Sequence, residues 1–157
     1  MKTIKVVFAL ALAAILSTSC GGDKEEYTGK PVISDEGITA NPIDCQQYKR
    51  GETITFQYKF HDAMELGSYN IEIHHNFDHH THSTSITDCP FEANKTPVHP
   101  FVFNQNYDIS AGKQDYVAKT EIKIPADVDP GDYHFMIRVT NKAGWQEIKG
   151  ISIKITE

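Results

Sequence analysis

The sequence lacks the features that mark most hydrolases and nucleic-acid-binding proteins. It contains no HExxH motif and no GxSxG motif, which removes the commonest signatures of zinc proteases and serine hydrolases. Basic residues are scarce, since 15 lysines and arginines stand against 21 acidic residues. Because binding to a phosphate backbone depends on Lys and Arg, this balance argues against nucleic acid as a partner. We therefore predict a protein that is not an enzyme and binds no nucleic acid.

Long apolar runs and helical periodicity are missing from most of the chain. The one extended apolar run, residues 6–16, is too short for a bilayer span, which needs about 20 apolar residues. After residue 27, apolar residues alternate with polar ones in short runs that are divided by Gly, Pro, Asn and Asp. This pattern predicts an all-β fold.

The N-terminus has the organisation of a bacterial lipoprotein signal. Lys2 and Lys5 precede the apolar run, and small residues lead from it to Cys20. This order resembles a lipobox, in which the cysteine is acylated and becomes the first residue of the mature chain. The resemblance implies a signal peptide over residues 1–19 and a lipid anchor on Cys20. An ordinary secretory signal followed by an incidental cysteine is the alternative.

Residues 20–29 are predicted to be a flexible tether to a single domain over residues 30–157. Residues 21–26 are polar and cannot bury apolar surface. Residues 24–26, Lys-Glu-Glu, resemble the export signal that sends Bacteroidetes lipoproteins to the cell surface, although a generic charged linker has the same composition. We therefore expect an outer-membrane lipoprotein that faces the cell exterior.

Two cysteines remain after the anchor, Cys45 and Cys89. In an oxidising compartment such a pair usually forms a disulfide. This bridge would close a loop of about 45 residues and stabilise the fold by about 3–4 kcal/mol. A thiolate metal site shared with histidines is the alternative, but no CxxC spacing supports it.

Alternating runs predict an immunoglobulin-like antiparallel β-sandwich of about seven strands. In the clearest strand, residues 53–60, the apolar side chains Ile54, Phe56, Tyr58 and Phe60 share one face. The other strands are predicted at residues 30–34, 68–76, 101–103, 116–124, 133–140 and 145–155, with a bulge at Gly150. Tyr133 resembles the tyrosine that bonds back to the turn before the penultimate strand of such sandwiches. Another Greek-key or jelly-roll sandwich is the alternative.

Histidines are concentrated in one short segment. Residues 74–82 hold five of the eight histidines, and imidazole is a preferred ligand of Zn, Cu, Ni and Fe. His80 and His82 are two residues apart, so on an extended segment they project to the same side. A solvated loop and a pH-sensitive element are the alternatives to a metal site. The candidate metal ligands are His74, His75, Asp78, His79, His80, His82 and His134.

His134 is included because the predicted fold brings a distant strand beside this segment. In an immunoglobulin-like sandwich the third and sixth strands are neighbours, and His74 and His134 face away from the core on these two strands. In the right register their side chains would lie within reach of one another. Met136 would add a soft thioether, which favours copper over zinc. The predicted cofactor is therefore a transition metal, Zn or Cu.

Residues 71–80, IEIHHNFDHH, together with the lipobox and the cysteine pair, resemble a Bacteroidetes family of small lipoproteins that carry a domain of unknown function. The resemblance covers most of residues 28–157. It implies an immunoglobulin-like fold and an envelope setting linked to TonB, but no established activity. Its most specific part is an IxIHxNFDxH-type motif, which here includes His74, Asn76, Phe77, Asp78 and His80.

The sequence leaves two hypotheses of function. In the first, a cell-envelope lipoprotein captures, buffers or delivers Zn or Cu near an outer-membrane TonB-dependent transporter. In the second, a non-catalytic interaction module binds a protein or glycan through loops of the sandwich. An exposed cluster of Phe77, Tyr107 and Trp145 would favour the second hypothesis.

Overall fold

The computed structural model describes residues 29–157, so the predicted signal, Cys20 and nearly all of the tether lie outside the described residues. Within this range every regular element is a β-strand, as the alternating pattern predicts. The described residues include no helix that is long and apolar enough to cross a membrane. The strands are β1 (Val32–Ser34), β2 (Gln46–Lys49), β3 (Thr53–His61), β4 (Leu66–His75), β5 (Phe103–Asp108), β6 (Asp115–Lys123), β7 (Gly131–Asn141) and β8 (Gln146–Thr156).

The strands form two sheets. The first sheet has the order β1-β3-β6, and the second has the order β2-β8-β7-β4-β5. Neighbouring strands are antiparallel, except that β2 runs parallel to β8. The predicted immunoglobulin-like antiparallel β-sandwich is confirmed, with eight strands in place of about seven.

The additional strand is β2, and its composition explains why the sequence does not reveal it. Of its residues, Gln-Gln-Tyr-Lys, only Tyr48 is buried, so the alternation of apolar residues is too short to recognise. The predicted strand boundaries also shift, most of them by one or two residues. β4 begins at Leu66, and the strand expected at residues 101–103 begins at Phe103 and continues to Asp108.

The core lies between the two sheets and is built from alternating side chains. The four apolar residues predicted to share one face of β3 are all buried, and Ile151, Ile153 and Ile155 are buried on β8. Phe56 of the first sheet stacks on Phe135 of the second, with ring centroids 5.8 Å apart. Such aromatic pairs add to the stabilisation that comes from the burial of apolar surface.

Tyr133 holds the entry to β7. Its hydroxyl donates a hydrogen bond to the carbonyl oxygen of Asp129 at 2.6 Å and accepts one from the backbone N–H of Phe101 at 3.2 Å. The predicted bond from this tyrosine back to the preceding turn is confirmed. It fixes the start of the strand that carries His134.

Cys45 and Cys89 form a disulfide, so the predicted bridge is confirmed over the thiolate alternative. Cys89 lies on the connecting segment, residues 76–102, which joins β4 to β5 and contains no strand. Cys45 lies just before β2, and its backbone N–H donates to the carbonyl oxygen of Ser152 on β8 at 2.8 Å. The bridge therefore ties the connecting segment to the second sheet.

Candidate metal centre

The pairing of β4 with β7 places two histidines side by side on the second sheet. His74 is opposite His134 in the register, and their ring centroids are 5.4 Å apart. The predicted register is confirmed. His134 alternates with the core residues Tyr133 and Phe135, so it points away from the core. It is nevertheless only 2% exposed.

The connecting segment covers His134 and brings two further histidines to it. The segment reverses at a turn in which the backbone N–H of His79 donates to the carbonyl oxygen of Asn76 at 3.2 Å. His79 has a φ of 58°, a left-handed conformation that is uncommon for residues with a side chain. After this turn His80 and His82 return over the sheet, on the same side of the segment as their spacing predicts.

His74, His80, His82 and His134 form what we call the histidine cluster. All six distances between their ring centroids lie between 4.9 and 5.4 Å. Ligand atoms of His74, His80 and His82 lie within 4.8 Å of one another. These three histidines could therefore hold a metal ion.

Gly150 on β8 makes room for this part of the connecting segment. A Cβ atom at this position would overlap the carbonyl oxygen of His82 and lie 3.1 Å from the sulfur of Met136. The predicted bulge at Gly150 is wrong, because the β7–β8 ladder runs through the pair of Met136 and Gly150 without a shift. The glycine is needed for space. Its backbone N–H also donates a hydrogen bond to the Thr84 hydroxyl at 2.9 Å, which attaches the connecting segment to β8.

Two carboxylates contact the cluster. Asp78 Oδ1 lies 2.5 Å from His80 Nδ1, and Glu72 Oε1 lies 3.1 Å from His74 Nδ1. The second contact is at ion-pair distance but is not aligned as a hydrogen bond. Histidines that bind a metal usually donate the other ring N–H to a carboxylate or a carbonyl oxygen. In this arrangement Nε2 of both rings is left for a metal.

His134 is oriented in the same way by a backbone group. Its Nε2 lies 2.9 Å from the carbonyl oxygen of His80, which assigns the proton to this nitrogen. Its Nδ1 is then a lone-pair acceptor, and it is buried without a hydrogen-bond partner. A buried polar atom left in this state costs about 1–3 kcal/mol.

The chain matches a family described as "Domain of unknown function (DUF4625)" over residues 18–156. The chain belongs to this family. The expected membership in a family with a domain of unknown function is confirmed. No curated protein matches the sequence. The family carries no assigned chemistry, so the function has to be inferred from the histidine cluster.

Burial sets the protonation state of the two cluster histidines on the sheet, His74 and His134. Removal from water lowers the pKa of His134 to about 4 and holds the pKa of His74 below its ordinary value, against the opposing charge of Glu72. The hydrogen bond from His80 lowers the pKa of Asp78. His74 and His134 are therefore neutral at pH 7, which is the form that binds metals.

Three of the predicted site residues do not converge with the others. The ring of His79 stacks on Phe91 with centroids 4.6 Å apart, and the ring of His75 packs against Phe77 at 5.0 Å. Asp78 contacts the cluster through His80. Sequence reasoning missed Glu72 and Gly150 as parts of the site. The position of Glu72 two residues before His74 on one strand face is the signal that could have identified it.

The three aromatic residues of the interaction-module hypothesis are not grouped on the surface. Phe77 is only 3% exposed, because its ring packs against Tyr133 with centroids 5.3 Å apart. Tyr107 stacks on Tyr69 at 4.7 Å, whereas Trp145 is 38% exposed. With Phe77 buried, this triplet cannot form an exposed platform for a partner.

Proposed function

We propose that this protein is a cell-envelope lipoprotein that binds a transition metal ion, Zn or Cu, at the histidine cluster. The observation that carries the proposal is the convergence of ligand atoms from His74, His80 and His82 within 4.8 Å. Two of the three rings also face a carboxylate, which is the usual second partner of a metal-bound imidazole. The role is capture, buffering or delivery of the metal.

A binding role is favoured over a catalytic one. A hydrolytic zinc centre needs a group that is free to act as general base. Glu72 and Asp78, the two carboxylates that contact the cluster, are both engaged by imidazole rings. We therefore assign the cluster to metal binding and not to catalysis.

The cellular setting is proposed from the sequence of the N-terminal region. The lipobox-like cysteine and the charged residues behind it support a Bacteroidetes lipoprotein on the outer membrane, facing outwards beside a TonB-dependent transporter. We expect the mature protein from its natural host to begin at Cys20 and to carry acyl chains. Intact mass spectrometry tests this, and an unmodified or uncleaved N-terminus would contradict it.

Metal content and affinity test the metal site. The full-length protein, purified in detergent without a histidine tag, is analysed for bound elements and titrated with Zn²⁺ and Cu²⁺ by calorimetry. We expect one ion per chain with a Kd below about 10 μM, which corresponds to about 7 kcal/mol. We expect the His80→Ala/His82→Ala variant to lose this binding, because it removes two of the three converging ligands.

A second double variant serves as the control. His61 and His99 lie outside the cluster, and His61 is paired with Asp115 at 3.1 Å. The His61→Ala/His99→Ala variant removes the same number of histidines and should bind the metal as the unmodified protein does. Equal losses in both variants, or no binding tighter than about 10 μM in the unmodified protein, would refute the proposal.

A further inference from the structure

We propose that the histidine cluster is a closed tetrahedral zinc site in which His134 Nδ1 is the fourth ligand. This inference rests on the proposed metal-binding function. It adds the coordination number, the geometry and the identity of the metal.

The spacing of the four rings distinguishes between coordination geometries. With a zinc–nitrogen distance of about 2.1 Å, each imidazole centroid lies about 3.2 Å from the metal. Four rings at the corners of a tetrahedron are then about 5.2 Å apart in every pair. Four rings in a square plane would give four distances of about 4.5 Å and two of about 6.4 Å.

The observed distances match the tetrahedron. All six lie between 4.9 and 5.4 Å, and no pair shows the long diagonal of a square plane. Zn²⁺ prefers four tetrahedral ligands, whereas Cu²⁺ and Ni²⁺ prefer square-planar or tetragonal arrangements. The arrangement of the rings therefore selects zinc over these two ions.

His134 keeps one ring nitrogen available as a fourth ligand, next to the three histidines whose ligand atoms lie within 4.8 Å of one another. The bond from Nε2 to the carbonyl oxygen of His80 leaves Nδ1 with a free lone pair. This Nδ1 is buried without a partner, and its ring lies 5.0–5.4 Å from the rings of the other three histidines. His134 belongs to β7, which is paired with both β4 and β8, so the fourth ligand would be rigidly held.

Binding requires the imidazole rings to turn rather than to approach one another, because their centroids already have the tetrahedral spacing. In a tetrahedral zinc site the nitrogens are about 3.4 Å apart, whereas the ligand atoms of the converging triad lie within 4.8 Å. The carbonyl oxygen of His80 accepts the bond from His134 and that of His82 packs against Gly150, so the movement is a rotation of the side chains of His80 and His82. His74 and His134 are fixed to the sheet and define the position of the metal.

Charge supports a divalent ion. Four neutral imidazoles leave the charge of Zn²⁺ uncompensated within its coordination shell. Glu72 and Asp78 contact the far nitrogens of His74 and His80, so the two carboxylates balance the two positive charges. A monovalent ion would leave an excess of negative charge.

A closed site makes a prediction that a three-histidine site does not. With four protein ligands there is no open position, so a small anion cannot bind the metal. We would load the full-length protein with Co²⁺, which reports tetrahedral coordination by intense visible bands, and then add azide. The spectrum of the unmodified protein should be tetrahedral and unchanged by azide.

The His134→Ala variant provides the comparison. Loss of the fourth ligand opens a position, so azide should shift the Co²⁺ spectrum of this variant. Its Zn²⁺ affinity should fall at least about tenfold, because removal of even an outer partner of a ligand costs about 10–100-fold. His99→Ala, an exposed histidine outside the cluster, should change neither property.

The possible outcomes separate this inference from the proposed function. If azide shifts the spectrum of the unmodified protein, or if its Co²⁺ bands are not tetrahedral, the site is open or has another geometry, and the four-ligand inference is refuted while metal binding stands. If neither Co²⁺ nor Zn²⁺ binds, both proposals fail. Since the decisive azide measurement uses the unmodified protein, it does not depend on the folding of a variant.

Discussion

We expect removal of the Cys45–Cys89 disulfide to lower the free energy of unfolding by about 3–4 kcal/mol. The bridge spans 44 residues of sequence, so its loss frees a long loop in the unfolded chain. Hydrogen bonds also attach the connecting segment to the second sheet, and these remain when the bridge is removed. Among them are the bonds of Thr84 with Gly150 and the bond from the Glu92 backbone N–H to Asp132 Oδ2 at 2.7 Å. Equilibrium denaturation in urea measures the loss.

The disulfide can be removed by mutation or by reduction, and each protein serves as a control for the other. The Cys45→Ala/Cys89→Ala variant and the unmodified protein in excess dithiothreitol should show the same midpoint of unfolding. The reductant should have no effect on the variant, because the described residues contain no other cysteine. A difference of less than about 1 kcal/mol between the bridged and unbridged proteins would contradict the prediction.

Alternation of apolar residues was sufficient to predict most of the fold. β3 and β7 each present one apolar face, and this periodicity is a local property of the sequence. β5 is harder to recognise, because Asn104, Gln105 and Asn106 have low β-propensity. It forms because it pairs along β4, where the Asn70 amide donates to the side chains of Asn104 at 2.8 Å and Asn106 at 2.9 Å. Such stabilisation depends on a distant partner and leaves no local pattern.

In the histidine cluster, too, some features follow from the local sequence and others depend on residues that are distant in the chain. The common side of His80 and His82 follows from their spacing, and the approach of His134 to His74 follows from strand parity once a sandwich is assumed. The separation of His79 from His80 could not be predicted. It results from the left-handed φ of His79, which turns the chain so that one ring meets Phe91 and the next meets the cluster. The path of the connecting segment depends on Gly150 and Cys45, which are distant in sequence.

Acidification of the metal-free protein should reduce its free energy of unfolding by about 2–3 kcal/mol between pH 6.5 and pH 4. Burial lowers the pKa of His134 to about 4 in the folded protein, whereas an unfolded histidine titrates near 6.5. Between these values the unfolded chain binds more protons than the folded chain. The contribution of neutral His134 to the free energy of unfolding is therefore present above about pH 6.5 and is lost as the pH falls towards 4.

The other histidine and the aspartates with a shifted pKa either lower the stability over the same pH range or affect it only at lower pH. The pKa of His74 is also lowered by burial, so its protonation opposes folding in the same way. The lowered pKa values of Asp78 and Asp129 affect stability only below about pH 4, where these carboxylates become protonated. The slope between pH 6.5 and 4 thus reports mainly on the buried histidines.

Urea denaturation at a series of pH values, with a chelator present, measures this slope. The His134→Leu variant cannot titrate at this position, and its dependence on pH should be flatter than that of the unmodified protein, whatever its stability at pH 7. A single histidine contributes at most about 1.4 kcal/mol per pH unit. If the unmodified protein is equally stable at pH 7 and pH 5, His134 is not held neutral by burial.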